Sequence, residues 1–277
     1  MKIHFITYGD KKFDNTLLRL KKEAINSNFF DTITIYRPND IDIEFQTKFK
    51  EVLNLKRGGG YYIWKPQIII QKMREIEEND IIVYLDAGSS INKLGYKKFR
   101  EYIDLISESE YGFLTFPCNK GKTSLTDKLL NSIEYLFNHV IDDDIQNYIA
   151  GHLIIKKNNN SKKILESFIQ LLEFDKFLIT DKYVKDTKQK YFTGQSRHDQ
   201  SIFCALFNIY DCINTKDPHY FGDRDNAFFS VDGVLPTILS DKNVVPELRP
   251  FTSEIDFMPG LVYPFDQYFL INTSEEL

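Results

Sequence analysis

The sequence lacks several features that would assign it to a familiar class. It has one tryptophan, three cysteines and no apolar stretch near the roughly 20 residues that a membrane helix needs. The cysteines, Cys118, Cys204 and Cys212, are odd in number and show no metal-ligand spacing. This usage favours a reducing, cytoplasmic compartment over a disulfide framework.

An excess of basic residues is also missing. The 277 residues include 35 Lys and Arg against 40 Asp and Glu, so the net charge is −5 and the isoelectric point about 5.6. Nucleic-acid binding is therefore disfavoured as the main function, while a local basic rim around a phosphate pocket is compatible with this balance. The first nine residues become polar too soon for a signal peptide and are expected to form the first strand.

Hydrophobic periodicity predicts an α/β fold with a mostly parallel sheet and helices on both faces. The length fits one large domain, 1–277. No segment pattern is clear at 40–56, and the Pro- and Asp-rich stretch 217–277 is expected to form loops and short strands. The expected strands are 2–7, 32–36, 81–85, 111–116 and 151–156, and the expected helices are 15–26, 66–76, 99–106, 125–140, 164–172 and 199–208.

The run Ile-Ile-Val-Tyr-Leu at 81–85 is typical of a strand buried on both faces, and Asp86 follows it directly. Ligands in open α/β sheets bind beyond the carboxyl ends of the strands. Asp86 is therefore placed to meet a metal ion or a sugar hydroxyl, with room left by Ala87 and Gly88. The alternative is an acid that only caps a turn.

A glycine-rich segment precedes the only tryptophan: Arg57, three glycines, two tyrosines, Ile63, Trp64, Lys65 and Pro66. Glycines permit positive φ angles or close approach to a ligand. Pro66 suits the first turn of a helix, and helix starts favour anions, so Lys65 and Arg57 are candidates for a phosphate site. The alternative is a glycine turn with Trp64 as a core anchor. No Gly-Lys-Ser/Thr follows, so the segment is not a P-loop.

Two further polar blocks lie in the second half. Asp199, in Arg197-His198-Asp199-Gln200-Ser201, is either the N-cap of a helix or a deprotonated acid that faces a sugar hydroxyl, with His198 or Arg197 beside it.

The other block is Ala150-Gly151-His152, where Gly151 marks either a close backbone approach to a ligand or a simple bulge. Farther along, His219 is either a metal ligand that joins Asp86 or an exposed loop residue.

Together these blocks resemble the GT-A fold glycosyltransferases that use nucleotide sugars and occur in bacterial surface-polysaccharide clusters and large DNA viruses. The resemblance rests on Gly-Gly-Gly-Tyr-Tyr-Ile-Trp-Lys-Pro (58–66), Val-Tyr-Leu-Asp-Ala-Gly (83–88) with Asn92, Ala-Gly-His (150–152) and Arg-His-Asp-Gln-Ser (197–201), in family order. It implies a nucleotide-sugar half at 1–116 and an acceptor-side half with a C-terminal wrap at 117–277.

The resemblance places Asp86 at the Asp-X-Asp position, which in this fold holds a divalent ion, Mn²⁺ or Mg²⁺, on the donor diphosphate. Here Gly88 replaces the second acid. One carboxylate is a poor site for such an ion by itself. Either another ligand such as His219 completes the site, or lysine and arginine take the place of the metal.

The resemblance further implies hexosyl transfer from a UDP- or GDP-sugar to a glycan or lipid-linked saccharide, with peripheral membrane contact and no nucleic acid. Asp199 would be the base of an inverting reaction. The implied donor contacts are Tyr8, Arg57, Lys65, Asp86, Ala87, Gly88 and Asn92; the implied sugar contacts are Trp64, Gly151, His152, Arg197 and Gln200; the implied catalytic group is Asp199, His198 and Asp86.

Three other functions compete with this one. Asp-Ala-Gly-Ser-Ser at 86–90 imitates the phosphate loop of actin-like nucleotidases and phosphotransferases, but it follows a later strand and no second Asp-X-Gly loop is visible. A non-catalytic nucleotide-sugar binder is favoured only by Gly88, and turnover separates it from an enzyme. A partner-binding α/β module has no need of the glycine-rich segment.

Overall fold

A computed structural model describes residues 1–122, 124–184, 197–215 and 229–230. The strands are β1 (Ile3–Tyr8), β2 (Thr32–Tyr36), β3 (Ile81–Leu85), β4 (Ser90–Ile91), β5 (Phe113–Thr115), β6 (Pro117–Lys120), β7 (Gln146–Tyr148), β8 (His152–Lys156), β9 (Ile213–Asn214) and β10 (Phe229–Ser230). The helical segments are α1 (Asp14–Ser27), α2 (Ile43–Lys48), α3 (Lys50–Leu53), α4 (Gly58–Tyr61), α5 (Trp64–Glu75), α6 (Tyr96–Glu108), α7 (Asp127–Phe137), α8 (Asn159–Phe174) and α9 (Asp199–Ile209).

Six strands form the central sheet in the order β2-β1-β3-β8-β5-β9. Strand β8 runs antiparallel to β3 and β5, and the other neighbours are parallel. The prediction of an α/β fold with a mostly parallel central sheet is thus confirmed. The carboxyl ends of β1 and β3 lie at one edge, which places Asp86 where a ligand site is expected.

Helices cover both faces of the sheet, which explains why β1 and β3 are buried along their whole length. Ile6, Tyr8 and Tyr84 pack into a core shared with helices α2, α3, α5, α7, α8 and α9. The opposite face meets α1 and α6, where Phe5 contacts Phe30 and the rings of Phe29 and Phe99 stack at 4.6 Å.

The boundaries differ from the expectation in a few places. The expected helix 125–140 is α7, which ends earlier because Asn138 takes a left-handed conformation and donates its backbone N–H to Glu134 O. Residues 40–56 contain α2 and α3, and β4, β6, β7 and β9 were not predicted. Each of these four strands has two to four residues, too few to show an alternating pattern.

None of the helices in the described ranges is long and apolar enough to span a membrane. The division of the chain at residue 116, like the single domain 1–277, stays a prediction. The loops expected at 217–277 lie outside the described residues, apart from the pairing of β10 with β4.

Candidate active site

The ammonium group of Lys65 lies at the centre of a buried charge cluster. Lys65 occupies the first turn of α5 and is 2 % exposed. Its Nζ lies 2.5 Å from Asp199 Oδ2 and 3.3 Å from Asp86 Oδ1, and donates a hydrogen bond to Ala150 O at 3.0 Å. All four sequence blocks therefore meet at one atom.

Asp86 is the most accessible carboxylate of this cluster, with a side chain 25 % exposed. Its backbone N–H donates to Gly151 O at 2.8 Å, which ties the end of β3 to the start of β8. The Tyr84 hydroxyl donates to Asp86 Oδ1. Among the described residues, hydrogen bonds and ion pairs reach Oδ1 alone.

Gly151 leaves space beside the second oxygen, Oδ2. A Cβ atom at position 151 would lie 3.1 Å from Asp86 Oδ2, closer than ordinary van der Waals contact. The glycine thus gives room to the carboxylate of Asp86, a reason more specific than the bulge or ligand approach considered from the sequence.

Asp199 is nearly buried and opens helix α9. The N-cap position belongs to His198, so the interpretation of Asp199 as an N-cap is wrong. Its carboxylate instead pairs with Lys65. The pKa of Asp199 is raised to about 6: burial is the largest cause of the rise, Lys65 opposes it, and the charge of Asp86 adds to it.

The same pairing keeps Lys65 charged. Burial by itself would lower the pKa of the lysine, but Asp199 and Asp86 together raise it above its ordinary value. The rings of Tyr62 and Tyr84 lie 5.6 and 5.0 Å from Nζ, and aromatic faces attract a cation. Burial raises the pKa of Tyr62 to about 12, so this phenol stays neutral at physiological pH.

The glycine-rich segment forms α4, a turn with left-handed backbone. The φ angles of Gly58, Gly59 and Gly60 are 53°, 58° and 96°, and those of Tyr61 and Tyr62 are also positive. A Cβ at position 60 would lie 2.7 Å from the Cα atom of Leu53, and one at position 58 would lie 2.6 Å from the Tyr62 ring. Backbone geometry and close packing therefore account for these two glycines.

Trp64 anchors this turn in the core. Its Nε1–H donates to Gly58 O at 3.1 Å, and its ring stacks on Tyr8 with centroids 3.7 Å apart. Both rings are buried. Trp64 thus lies in the core, as in the alternative of a glycine turn with a core tryptophan. Tyr8 packs against it.

Arg57 immediately precedes the turn α4 and pairs with a different acid. Its Nη1 lies 2.7 Å from Asp181 Oδ2, the oxygen to which the Tyr61 hydroxyl also donates, at 3.1 Å. The Arg57 side chain is 30 % exposed. It is therefore far more accessible to solvent than Lys65.

His198 holds a strained backbone conformation immediately before Asp199. Its φ of 57° and ψ of −118° are rare for a residue with a side chain. Its Nδ1 hydrogen-bonds Ile179 O at 3.0 Å, and its ring makes an edge contact with Tyr61 at 4.9 Å. Burial lowers the pKa of His198 to about 4, with help from the charge of Arg57, so the imidazole is neutral at pH 7.

The neighbours of Asp199 fix the start of α9. Gln200 Nε2 donates to Tyr148 O at 2.8 Å, and the backbone N–H of Arg197 donates to Ser201 Oγ at 3.0 Å.

His152 is buried, with its ring 4.8 Å from that of Phe116.

The loop after Asp86 is held by a residue that sequence reasoning missed. Arg19 of α1 donates to the carbonyl oxygens of Ser89 and Gly88 at 3.0 and 3.4 Å. Asn92 ends the loop, and its Oδ1 accepts from Leu94 N at 2.9 Å. Nothing in the pattern of α1 distinguishes Arg19 from a surface arginine, so only the fold shows the contact.

The described residues do not fit a resident divalent ion. Such an ion prefers six or more oxygen ligands. No group of three His, Cys, Asp or Glu side chains capable of holding a metal occurs in the part of the chain that the structure describes. Asp86 offers one exposed carboxylate, while Asp199 is engaged by Lys65. The predicted ligand His219 lies outside the described residues.

No protein-family model matches the chain, and no curated protein matches it. Several solved structures are similar at low identity. The bifunctional glycosyltransferase WbbM is 12 % identical with a TM-score of 0.43; the match covers 79 % of this chain and 39 % of WbbM. A glycosyltransferase involved in glycosylating the major capsid of PBCV-1 is 13 % identical with a TM-score of 0.44, covering 83 % and 93 %.

The galactosyltransferase LgtC, solved with donor and acceptor sugar analogues, is 14 % identical with a TM-score of 0.38, covering 83 % of this chain and 85 % of LgtC. These neighbours are glycosyltransferases, the class that the sequence blocks resemble. Because the TM-scores lie below 0.5, we base the function proposed below on the geometry of the site.

Replacing Gly60 by alanine is expected to destabilise the protein by about 2 kcal/mol or more, because a side chain here meets the Leu53 backbone and disfavours positive φ. Denaturant unfolding measures the change. Gly59→Ala is the matched control, since its φ is also positive but its Cβ has 3.7 Å of clearance from Trp64 Nε1. Equal losses in the two variants would contradict the packing argument.

The stability of the protein is expected to carry a pH dependence due to Asp199. Because its folded-state pKa is raised to about 6, this carboxyl contributes stability that is fully present below about pH 4 and is lost as pH rises to about 6. Unfolding free energies of the wild type and Asp199→Asn, measured from pH 4 to 7, should diverge in this window, with the wild type falling relative to the variant. Parallel curves would show that Asp199 has an ordinary pKa.

Proposed function

We propose that the chain is a glycosyltransferase that moves a sugar from a nucleotide-sugar donor to a hydroxyl of a glycan or lipid-linked saccharide. The observation that carries this proposal is the convergence of four sequence blocks on the Lys65 ammonium at the carboxyl end of β3. A module that only packs against a partner has no use for three charges brought together at a ligand-binding edge.

Asp86 is the proposed donor contact. It combines an accessible carboxylate with a fixed orientation, since Tyr84, Lys65 and the Gly151 carbonyl restrain it. An ionised carboxylate accepts strong hydrogen bonds from sugar hydroxyls. Oδ2, to which no described residue donates a hydrogen bond, is the atom proposed to make that contact.

Asp199 is the proposed base for an inverting reaction. With a pKa of about 6, its carboxylate is mostly ionised at neutral pH and still basic enough to accept the proton of an acceptor hydroxyl. Lys65 is buried and acts by orienting both carboxylates and holding Asp199 in its charged form. It is a positioning residue in this scheme.

The departing nucleoside diphosphate needs positive charge near it. Arg57 is the proposed source, because it immediately precedes the left-handed turn that leads to Lys65 and its side chain is partly exposed. Donors of the UDP- or GDP-hexose type are part of this proposal, and the effect of Mn²⁺ or Mg²⁺ on donor binding is measured separately. No step of this scheme passes through a metal.

The actin-like alternative is not favoured by the fold. Its phosphate loop joins the first two strands of a domain as a hairpin, whereas the loop after Asp86 follows the third strand and leads through β4 into α6. A non-catalytic nucleotide-sugar binder shares the proposed site and is separated from an enzyme by turnover.

Asp86→Asn is expected to lower kcat/KM for the donor at least ten-fold, because the neutral amide loses the charge that the donor contact uses. Initial rates with a nucleotide sugar measure the effect, and thermal unfolding confirms that the variant is folded. Asp104→Asn is the matched control, since it removes an exposed acid of α6 that pairs with Arg100. Unchanged kcat/KM in a folded Asp86→Asn variant would remove Asp86 from the site.

A thermal-shift screen with UDP, GDP, CDP, TDP, ADP and their sugar conjugates tests the proposed donor class. Binding to the native state raises Tm in proportion to the logarithm of ligand concentration over Kd. We expect a base-selective rise, and the same screen with Mn²⁺ or EDTA reports metal dependence. A rise with ATP and Mg²⁺ in the absence of any response to nucleotide sugars would instead support the nucleotidase alternative.

A further inference from the structure

Two residues of α1 hydrogen-bond the chain segment that follows Asp86. Arg19 Nη2 donates to Ser89 O at 3.0 Å and Gly88 O at 3.4 Å, and Arg19 Nη1 donates to Ser90 Oγ. Glu23, one turn farther along α1, accepts from Arg19 Nη1 at 2.9 Å through Oε1 and from the Ile91 N–H at 2.8 Å through Oε2. The pair Arg19 and Glu23 thus forms a clamp across residues 88–91.

The clamped segment consists mainly of small residues, and the pairing of β4 with β10 supports only its last two residues. Ala87, Gly88, Ser89 and Ser90 are small residues whose side chains offer little surface for packing. Within the segment, a turn hydrogen bond joins Ser89 N–H to Asp86 O at 2.9 Å, so a shift of the segment is transmitted directly to Asp86.

The geometry requires an arginine. Its two terminal nitrogens serve different groups, one the carbonyl oxygens and the other a serine hydroxyl and a carboxylate. The planar guanidinium presents such donors in a fixed fork, whereas a lysine offers a single nitrogen. Because the Arg19 side chain is 37 % exposed, its role here is local orientation more than core stability.

We propose that Arg19, oriented by Glu23, is a positioning residue that fixes the segment 86–91 so that the Asp86 carboxylate meets the sugar-nucleotide donor. This inference rests on the proposed function for its catalytic consequence. The effect of Arg19 on the backbone of this segment can be measured in the absence of any substrate.

Amide hydrogen exchange tests the clamp without a substrate. In Arg19→Gln we expect the amides of Ser89 and Ile91 to exchange at least ten-fold faster, while the amides of β1 and β8 keep their rates. Arg100→Gln is the matched control, because Arg100 also makes an i,i+4 pair, with Asp104, and is 41 % exposed. Unchanged exchange of Ser89 and Ile91 in Arg19→Gln would overturn the proposal.

Donor kinetics test whether the clamp acts through Asp86. We expect Arg19→Gln to lower kcat/KM for the donor about ten-fold at an unchanged KM for the acceptor, and Arg19→Lys to restore little of the loss. In a double-mutant cycle, Arg19→Gln combined with Asp86→Asn should be no slower than Asp86→Asn alone.

If the double variant loses the product of the two single losses in kcat/KM, Arg19 does not act through Asp86. Full activity of Arg19→Lys would also contradict the proposal. If the wild type binds and turns over no nucleotide sugar, the proposed function fails, and the exchange rates still decide whether Arg19 holds the segment.

Discussion

The structure of the site depends on one buried positive charge. Removing an ammonium group from water costs several kcal/mol unless it is paired and hydrogen-bonded. Lys65 meets this condition with two carboxylates and a backbone carbonyl, which come from the residue after β3, from α9 and from the residue before Gly151. These elements must therefore arrive together, and the charge that they share fixes the spacing between Asp86 and Asp199.

The left-handed turn α4 delivers Lys65 to that position. Five consecutive residues with positive φ connect α3 to α5, and two glycines pack where no side chain fits. Trp64 closes the turn by hydrogen-bonding Gly58 and stacking on Tyr8. The glycines, the tryptophan and the lysine of this block are thus parts of one device, in which strain in the backbone is repaid by aromatic packing and ion pairing.

Much of the architecture was predictable because long elements carry strong periodic signals. The apolar run of β3 and the stripes of α1, α6 and α8 identified the sheet, its helices and the carboxyl-end position of Asp86. The short strands β4, β6, β7 and β9 were not predicted, because two to four residues are too few to show an alternating hydrophobic pattern. The partners of Arg57 and Arg19 could not be predicted either, because they are distant in sequence. Asp181 lies 124 residues from Arg57, and Ser90 lies 71 residues from Arg19.

The sequence by itself determined the fold class, the order of the blocks and the residue types that meet at the end of β3, because periodicity and glycine placement are local properties of a chain. Only the tertiary structure decided what those residues do to one another. Lys65 is a buried link between two acids and Arg57 the accessible cation, and Asp199 has a raised pKa, because burial and charge pairing arise from segments that meet only when the sheet is formed.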